Sequence, residues 1–469
     1  MKPAMLSTVF SSTVISREGE CMEKLISEKV FYRSVMALII GMPVIEVLTE
    51  ILSRFSEIFP LFFAPMVISL FGVYGTSITV LYWYTSFKQK RKLRTADIFY
   101  LTLIFFMVIS AVFSRSPGVY SNPVLNRREE PMIFLAYFWL FFAGTLIDNI
   151  IYRKRILSAC IAVAILEGIP AFFQTFNIEL SYSWLYRADR SAYGLTQNSN
   201  YYGCLAVFLI ACITGVYIFS EDLVTSKITR YSLPPIAAFV FYTMLGSRAR
   251  LAWVGFCMLA VFYVISLIIM CRKNRGSKDM KPAVRRALII LAAYAAVFLI
   301  AFFFTDYIRE VTVRSYWEVA NGNTEKMGSD RIYVWQWGLK SVPKHWLTGV
   351  GLDNYQYVFD SSPDYVEGMH RKDKAHNEYL HILVTQGIPA LINYLTLLIY
   401  TCVGAVRSVL TEDSREKRAV TWTLLGMIAT YAASAFFNIS VPYVVIYFWL
   451  AVGLAIPRSP VPSLRSRKT

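Results

Sequence analysis

Charged residues are scarce in this chain of 469 residues. Only 17% of its residues are Asp, Glu, Lys or Arg, whereas 56% are hydrophobic and 16% are aromatic. An ordinary soluble domain has about 25% charged residues. The scarcity of charge argues against a soluble enzyme, and the abundance of apolar side chains argues against a disordered or fibrous protein.

The apolar residues are grouped in runs of about 20, the length that an α-helix needs to cross a bilayer. This grouping predicts an all-α, polytopic integral membrane protein with about twelve transmembrane helices and one large outer loop. The run 379–406 begins with an amphipathic turn before the true crossing. The candidate spans are 34–53, 61–84, 97–113, 131–151, 156–177, 201–219, 233–246, 251–271, 285–305, 379–406, 419–437 and 441–457.

The formal net charge is +16, a value that in a soluble protein would suggest nucleic acid. Thirty of the 47 Lys and Arg residues lie in the two tails and in alternate short loops. Of the other 17, nine lie in one long loop that the positive-inside rule does not cover. The positive charge therefore predicts topology and no nucleic-acid partner, with both termini cytoplasmic and the chain in an inner or plasma membrane.

The N-terminus does not form a clean signal peptide, because no uninterrupted apolar region precedes Arg17 and no convincing cleavage site follows. We expect a membrane domain that is interrupted once by a large extracytoplasmic loop. The predicted units are an N-terminal tail (1–33), transmembrane helices 1–9 (34–305), the outer loop (306–375), transmembrane helices 10–12 (376–457) and a C-terminal tail (458–469).

The seven cysteines lie in or beside the spans or in the N-terminal tail, and none lies in an outer loop. This distribution predicts no extracytoplasmic disulfide framework. The sequence also has no CxxC motif and no cluster of Cys and His, so we expect neither a metal site nor a cofactor.

The outer loop is rich in Tyr and Trp, and its nine basic and ten acidic residues nearly cancel. Segment 330–342 has the pattern of an amphipathic helix, and 349–355 (GVGLDNY) that of a tight turn. Aromatic faces beside carboxylates and amides suit sugar rings, although such residues also form interfacial belts. Their clustering in one loop favours a small docked domain.

Three outer arginines stand out, because arginine at the membrane is costly and usually pairs with an anion. Arg248 and Arg250 lie in LGSRARL, between two short apolar spans, and Arg331 begins the aromatic helix of the outer loop. The guanidinium group matches phosphate oxygens in a bidentate way. The alternatives are snorkelling, which we favour for Arg250, and a solvated surface charge for Arg331.

His376 lies where the outer loop returns to the membrane, in AHNEYLHILVTQGI. An imidazole there can titrate near neutral pH and act as a general base. The alternative is a structural histidine at the interface. His381 follows five residues later, and the pair does not match a zinc motif, so we interpret His381 as structural.

Other polar residues leave two interpretations open. Asn198 and Asn200 begin the sixth span, where they could cap the helix or bind sugar hydroxyls. Glu46, Glu50 and Glu167 lie within spans and could form a proton or ion path, as in a transporter.

Together these elements resemble the O-antigen ligase and O-antigen polymerase superfamily of bacterial surface-polysaccharide assembly. The resemblance covers most of the membrane portion and is strongest from about 194 to 390. Ala390, three places after the glycine of the histidine motif, departs from the strict ligase pattern. The matching elements are His376-Asn377 with nine residues before Gly387, Ser247-Arg248, Ser329-Asp330-Arg331 with Trp335, the turn of Gly349, Gly351 and Tyr355, and Asn198 with Asn200.

The resemblance implies a GT-C-type glycosyltransferase that uses a saccharide on undecaprenyl diphosphate and transfers it, without a metal, to an acceptor glycan or lipid-linked glycan. It implies that Arg248 and Arg331 bind the diphosphate and that His376 is the base. It also implies contact with membrane lipids, and with a flippase and a chain-length regulator as protein partners. The implied substrate-binding residues are Asn198, Asn200, Ser247, Arg250, Trp335, Tyr355 and Asn377.

Three activities remain as alternatives. We favour a polymerase of O-antigen, capsule or exopolysaccharide units, because Ala390 breaks the ligase pattern. A ligase that delivers the glycan to lipid A core or another acceptor is the second. A lipid-linked glycan flippase or an anion transporter is the third, although the sequence has no internal repeat of the kind that transporters show.

Overall fold

The computed structural model describes residues 26–53, 59–114, 129, 131–178, 191–196, 198–273, 280–306, 308–310, 312–313, 317, 331–361 and 373–457. These residues form helices and connecting segments and contain no β-strand, as the all-α prediction requires. Most of both predicted tails, part of the outer loop, and Ser329 and Asp330 of the arginine motif lie outside the described residues.

Fourteen helices of eight residues or more are complete in these ranges. Twelve are long helices at the positions of the apolar runs, and two shorter ones belong to the outer loop and its return to the membrane. They are α1 (Glu28–Ser53), α2 (Phe59–Lys88), α3 (Thr95–Val112), α4 (Pro131–Leu146), α5 (Ile150–Thr175), α6 (Ser199–Ile218), α7 (Lys227–Gly246), α8 (Arg250–Lys273), α9 (Met280–Phe304), α10 (Arg331–Ser341), α11 (Glu378–Gln386), α12 (Ile388–Thr411), α13 (Arg415–Ala435) and α14 (Pro442–Ala455).

Eight helices of the described ranges are long and apolar enough to cross a bilayer: α1, α2, α3, α5, α6, α8, α9 and α12. The helices α4 and α14 are apolar but shorter. The chain is therefore a polytopic membrane protein, and the count of twelve crossings stays a prediction.

The expectation of one span over 131–151 is wrong at its C-terminal end. The chain leaves helix α4 before Asp148 and begins α5 after Asn149, whose side chain accepts a hydrogen bond from Ile151 N at 2.9 Å. The backbone N–H groups of Asp148 and Asn149 donate to the carboxylate of Glu28, at 2.6 and 2.5 Å. A carboxylate from a helix 120 residues earlier in the chain thus helps to end one helix and begin the next.

The helices α6 and α14 lie in the centre of the bundle, where apolar side chains surround them on every side. In contrast, α8 and α9 bury only 22% and 17% of the residues in their most apolar stretches, as helices facing lipid do. Small residues permit the closest contacts, because the α-carbon of Gly453 in α14 lies against the backbone of Phe141 in α4.

The apolar run 379–406 consists of two helices that meet at Gly387. The short helix α11 ends there, and α12 begins at the next residue. Gly387 has φ 89° and ψ 173°, a backbone conformation that is essentially confined to glycine. The expected amphipathic turn before the crossing is thus a separate helix.

The outer loop forms a small hydrophobic core of its own, separate from the membrane core. Side chains from α10, from the segment after the glycine turn and from α11 meet there, so the loop is docked on α11. The buried members are Val334, Val350, Tyr355, Val358, Phe359, Ala375, Leu380 and Val384.

Candidate active site

The turn between α7 and α8 holds Arg248 in a left-handed backbone conformation, with φ 57°. Ser247, which is buried, donates its hydroxyl to Met244 O at 2.6 Å and accepts a bond from Ala249 N at 3.3 Å. The serine therefore shapes the turn. Arg248 is half-buried and Arg250 is exposed at the first position of α8.

The start of α6 packs directly on this turn. Asn198 caps α6, because its side-chain oxygen accepts a hydrogen bond from Asn200 N at 2.9 Å. One turn later, a side chain at Gly203 would lie 2.6 Å from the Ala249 side chain and 2.8 Å from the Ser247 hydroxyl. Of the two interpretations of the asparagines, capping applies to Asn198, whereas Asn200 is half-buried next to the arginine turn.

The C-terminal end of α13 joins the arginine turn (247–249) to the histidine segment (375–379). Ser434 donates its hydroxyl to Leu251 O, in the first turn of α8, at 3.3 Å. Tyr379, in the first turn of α11, donates its hydroxyl to Ala432 O at 2.8 Å. The first turns of α8 and α11 therefore lie at the same end of the bundle, and so do Arg250 and His376.

Arg331 and Arg250 form a pair of like charges. Arg331 is half-buried at the start of α10, and both its burial and the positive charge of Arg250 lower the pKa of Arg331 from its ordinary value. The partly buried guanidinium group of Arg331 and the exposed one of Arg250 repel each other. A bound anion relieves this repulsion, so the pair favours a negatively charged ligand.

Trp335, one turn after Arg331, connects α10 to the histidine segment. Its indole N–H donates to Ala375 O at 2.9 Å, one residue before His376. Its ring also meets Phe436 edge-on, with ring centroids 5.8 Å apart. Since Trp335 is only half-buried, one part of the ring remains available to a ligand.

His376 has φ 50°, so it shares the left-handed conformation of Arg248. For a residue with a side chain this conformation costs about 1–3 kcal/mol, and such strain clusters at functional sites. Asn377 follows as the cap of α11 and accepts a hydrogen bond from Leu380 N at 3.0 Å. The cap fixes the chain direction after His376, and Asn377 itself is buried.

A carboxyl group that the sequence did not single out lies two residues after His376. Glu378 is buried in the first turn of α11 and accepts hydrogen bonds from Tyr431 at 2.6 Å and from Tyr394 at 2.9 Å. Burial raises the pKa of Glu378 to about 7, although both tyrosines act in the opposite direction. Glu378 thus changes its charge near neutral pH, beside the candidate base.

The glycine turn supports α11 from the side. Val350 N donates to Val384 O at 2.9 Å and Gly351 N donates to Thr385 O at 3.0 Å. Tyr355 is fully buried, and its hydroxyl donates to Val334 O at 2.7 Å. The structure therefore places Tyr355 in the core of the outer loop, and its role in substrate binding stays a prediction.

An ion cluster beneath the histidine segment was also missed by the sequence analysis. The ammonium of Lys374 lies 2.7 Å from the carboxylate of Glu129 and 3.1 Å from that of Asp353. Ser440 and Tyr137 also donate hydroxyl groups to Glu129, at 2.5 and 3.0 Å. The residues come from four separate segments, so spacing along the sequence gives no signal for the cluster.

His381 lies inside the outer loop core, where its ring stacks on Tyr355 with centroids 5.7 Å apart. Burial lowers its pKa well below the ordinary value, so it is neutral and has a structural environment. Across the ranges that the structure describes, no three His, Cys, Asp or Glu side chains are grouped so that they could hold a metal ion.

Two of the carboxyl groups that suggested an ion path are paired inside the protein. Glu46 and Glu167 are buried and hydrogen bonded to each other. Glu167 also accepts a bond from Leu195 N at 3.0 Å, in the segment that precedes α6. This pair therefore supports the chain near Asn198. The side chain of the third, Glu50, lies outside the described part of the protein.

Residues 235–395 match the family model described as O-antigen ligase. The matched segment runs from α7 to α12 and contains the arginine turn, Arg331, His376 and Gly387. The resemblance to the O-antigen ligase and polymerase superfamily is therefore confirmed. No curated protein matches the chain.

Proposed function

We propose that this chain is a membrane glycosyltransferase. It moves a saccharide from an undecaprenyl-diphosphate-linked donor to an acceptor hydroxyl, at the outer face of an inner or plasma membrane. The family match supports the general type of function. Residue chemistry and the predicted topology support the choice of donor and of membrane face.

The observation that carries the proposal is the position of Arg331, which has Arg250 as a neighbouring like charge and lies one helical turn before Trp335, whose indole binds the backbone next to His376. A diphosphate neutralises both guanidinium groups through bidentate hydrogen bonds. Arg248, two residues before Arg250, adds a third cation. Negative charge grows on the leaving diphosphate during the reaction, and cations fixed in advance stabilise it most in the transition state. The arginines thus supply the charge that a divalent metal ion supplies in other enzymes.

His376 is the proposed base. It takes the proton from the acceptor hydroxyl while the acceptor oxygen attacks the anomeric carbon from the face opposite the diphosphate. A new carbon–oxygen bond forms and the bond between the anomeric carbon and the diphosphate oxygen breaks, with inversion. Undecaprenyl diphosphate leaves with the bonding electrons, and the proton stays on the imidazole.

The test is a transfer assay with purified protein in lipid nanodiscs and an undecaprenyl-diphosphate glycan. Removal of a general base lowers the rate by about 10²–10⁴-fold, so we expect His376→Ala to lose transfer by this factor and to keep donor binding. His345→Ala is the matched control, because His345 lies in the outer loop and contacts Ser341 O. Normal turnover by His376→Ala refutes the mechanism.

The same assay separates the two proposed products. A polymerase lengthens one lipid-linked chain at the expense of another, whereas a ligase moves the chain to a different acceptor. We propose the polymerase, on the departure at Ala390, with a flippase and a chain-length regulator as partners. Transfer to lipid A core without chain lengthening identifies a ligase instead.

A further inference from the structure

The ion cluster of Glu129, Lys374 and Asp353 has an unusual charge balance for a buried site. One ammonium lies between two carboxylates, and the side chains of Lys374 and Glu129 are each only 1% exposed. Burial alone lowers the pKa of Lys374, but Asp353 and Glu129 raise it above its ordinary value. Burial, with the charge of Glu129, raises the pKa of Asp353 against the opposing effect of Lys374. Lys374 is therefore positively charged, and its charge stabilises the ionised form of both carboxylates.

The cluster fixes the chain two residues before His376. Glu129 lies two residues before α4, and Ser440, which donates to it, lies two residues before α14. Lys374 is thereby tied to the ends of two membrane helices. The next residue, Ala375, is held by the indole of Trp335. Both residues before the left-handed His376 are therefore anchored.

The glycine turn connects the cluster around Lys374 to the C-terminal end of α11. The backbone N–H of Gly351 donates to Thr385 O near the C-terminal end of α11. Two residues later, the carboxylate of Asp353 pairs with Lys374, which precedes the N-terminal end of α11. Asp353 itself has φ 55°. The turn therefore makes one contact at each end of α11. Along the chain, His376 lies between the two contacted residues, Lys374 and Thr385.

We propose that the Glu129–Lys374–Asp353 cluster is a positioning device. It holds the imidazole of His376 in a fixed position relative to the arginine site, which consists of Arg248, Arg250 and Arg331. This inference rests on the proposed function. Lys374 touches no reacting atom in this scheme. A displacement of about 1 Å at a reacting group costs up to about 10²-fold in rate, so the cluster has a measurable role in kcat.

The kinetic test compares Lys374→Met with wild type in the transfer assay. We expect kcat to fall about 10–100-fold while KM for the donor changes less than about threefold, because the arginine site is untouched. Lys154→Met is the matched control. It breaks the 2.6 Å pair with Glu416 at the opposite end of the bundle, and we expect an unchanged kcat. A kcat within about twofold of wild type in folded Lys374→Met overturns the inference.

A second variant separates positioning from stability. Lys374→Met removes the ammonium group from the buried carboxylate of Glu129 and the partly buried one of Asp353, so its melting temperature also falls. The triple variant Glu129→Gln/Asp353→Asn/Lys374→Met has no unpaired charge, and we expect its melting temperature to recover while kcat stays low. If kcat recovers together with the melting temperature, the cluster has a purely structural role and the inference is wrong.

A third measurement does not depend on transfer activity. Diethyl pyrocarbonate modifies neutral imidazoles, and mass spectrometry gives the rate at His376 separately from the other histidines. We expect a reaction at least about threefold faster in Lys374→Met and no change in Lys154→Met, because a released backbone exposes the ring more often. An unchanged rate at His376 contradicts the inference. If wild type transfers no saccharide but the rate at His376 rises, the proposed function fails and the positioning of His376 stands.

Discussion

Replacing Gly387 by alanine tests whether the outer loop is held against the junction of α11 and α12. At this residue φ is 89° and ψ is 173°, which only glycine adopts readily. An added Cβ would lie 2.6 Å from Leu347 O and 2.8 Å from Trp346 O. These are backbone atoms, and Trp346 O also accepts a hydrogen bond from Ile388 N at 2.7 Å. The neighbouring chain therefore cannot yield without breaking that bond.

Two costs add in Gly387→Ala. A residue with a side chain in this backbone conformation costs about 1–3 kcal/mol. Overpacking against a fixed neighbour costs about 1–3 kcal/mol more. The sum of about 2–6 kcal/mol is a large part of an ordinary net stability of about 5–15 kcal/mol. We therefore expect the outer loop to move away from α11, with loss of transfer.

Thermal melting in detergent and the transfer rate measure the two consequences. Gly41→Ala is the matched control, since Gly41 lies within α1 and an added Cβ there would have no neighbouring atom within 4 Å. Alanine in a helix is favoured over glycine by about 1 kcal/mol, so this control should melt at the wild-type temperature or above. Equal melting temperatures and equal rates for Gly387→Ala and wild type refute the reasoning.

Three further substitutions give distinct results. Arg248→Lys keeps the charge but loses the bidentate fork, so we expect kcat/KM for the donor to fall at least about tenfold; a value within about threefold of wild type contradicts this role. The pKa of about 7 for Glu378 means that the folded protein holds a proton that the unfolded chain has released. Its contribution to stability is complete below about pH 4.5 and is lost as pH rises to about 7, so the melting temperature should fall over this range in wild type and not in Glu378→Gln; equal slopes contradict the assignment. Tyr355→Phe loses the hydrogen bond to Val334 O, about 1 kcal/mol, so a packing role predicts a lower melting temperature with KM unchanged, whereas a raised KM indicates a substrate-binding role.

The apolar runs predicted most of the helices, because a bilayer imposes the same length on each crossing helix. Helix ends were harder to predict, as 131–151 shows. The break near Asn149 depends on the carboxylate of Glu28, which is distant in sequence and reaches the N–H groups there only after the helices pack. Local pattern carries no information about such a partner.

The arginines and His376 could be singled out because charge is costly at a membrane and therefore conspicuous there. The groups that support them could not. Lys374 is one of several basic residues in the outer loop, and its partner Glu129 lies 245 residues earlier. Tyr355 was predicted to bind substrate because it ends the glycine motif, and only the structure shows that its side chain is buried in the core of the outer loop.

Arg248 and His376 share the left-handed conformation, and neither is glycine or asparagine, the residues that adopt it most readily. Such strain persists only where surrounding contacts over-determine the backbone. At Arg248 those contacts come from the buried Ser247 hydroxyl, and at His376 from the Trp335 indole and the Lys374 cluster. Relaxation at either residue would change the direction of its side chain. The contacts that maintain the strain therefore determine where the guanidinium and imidazole groups point, although they belong to residues that need not touch the substrate.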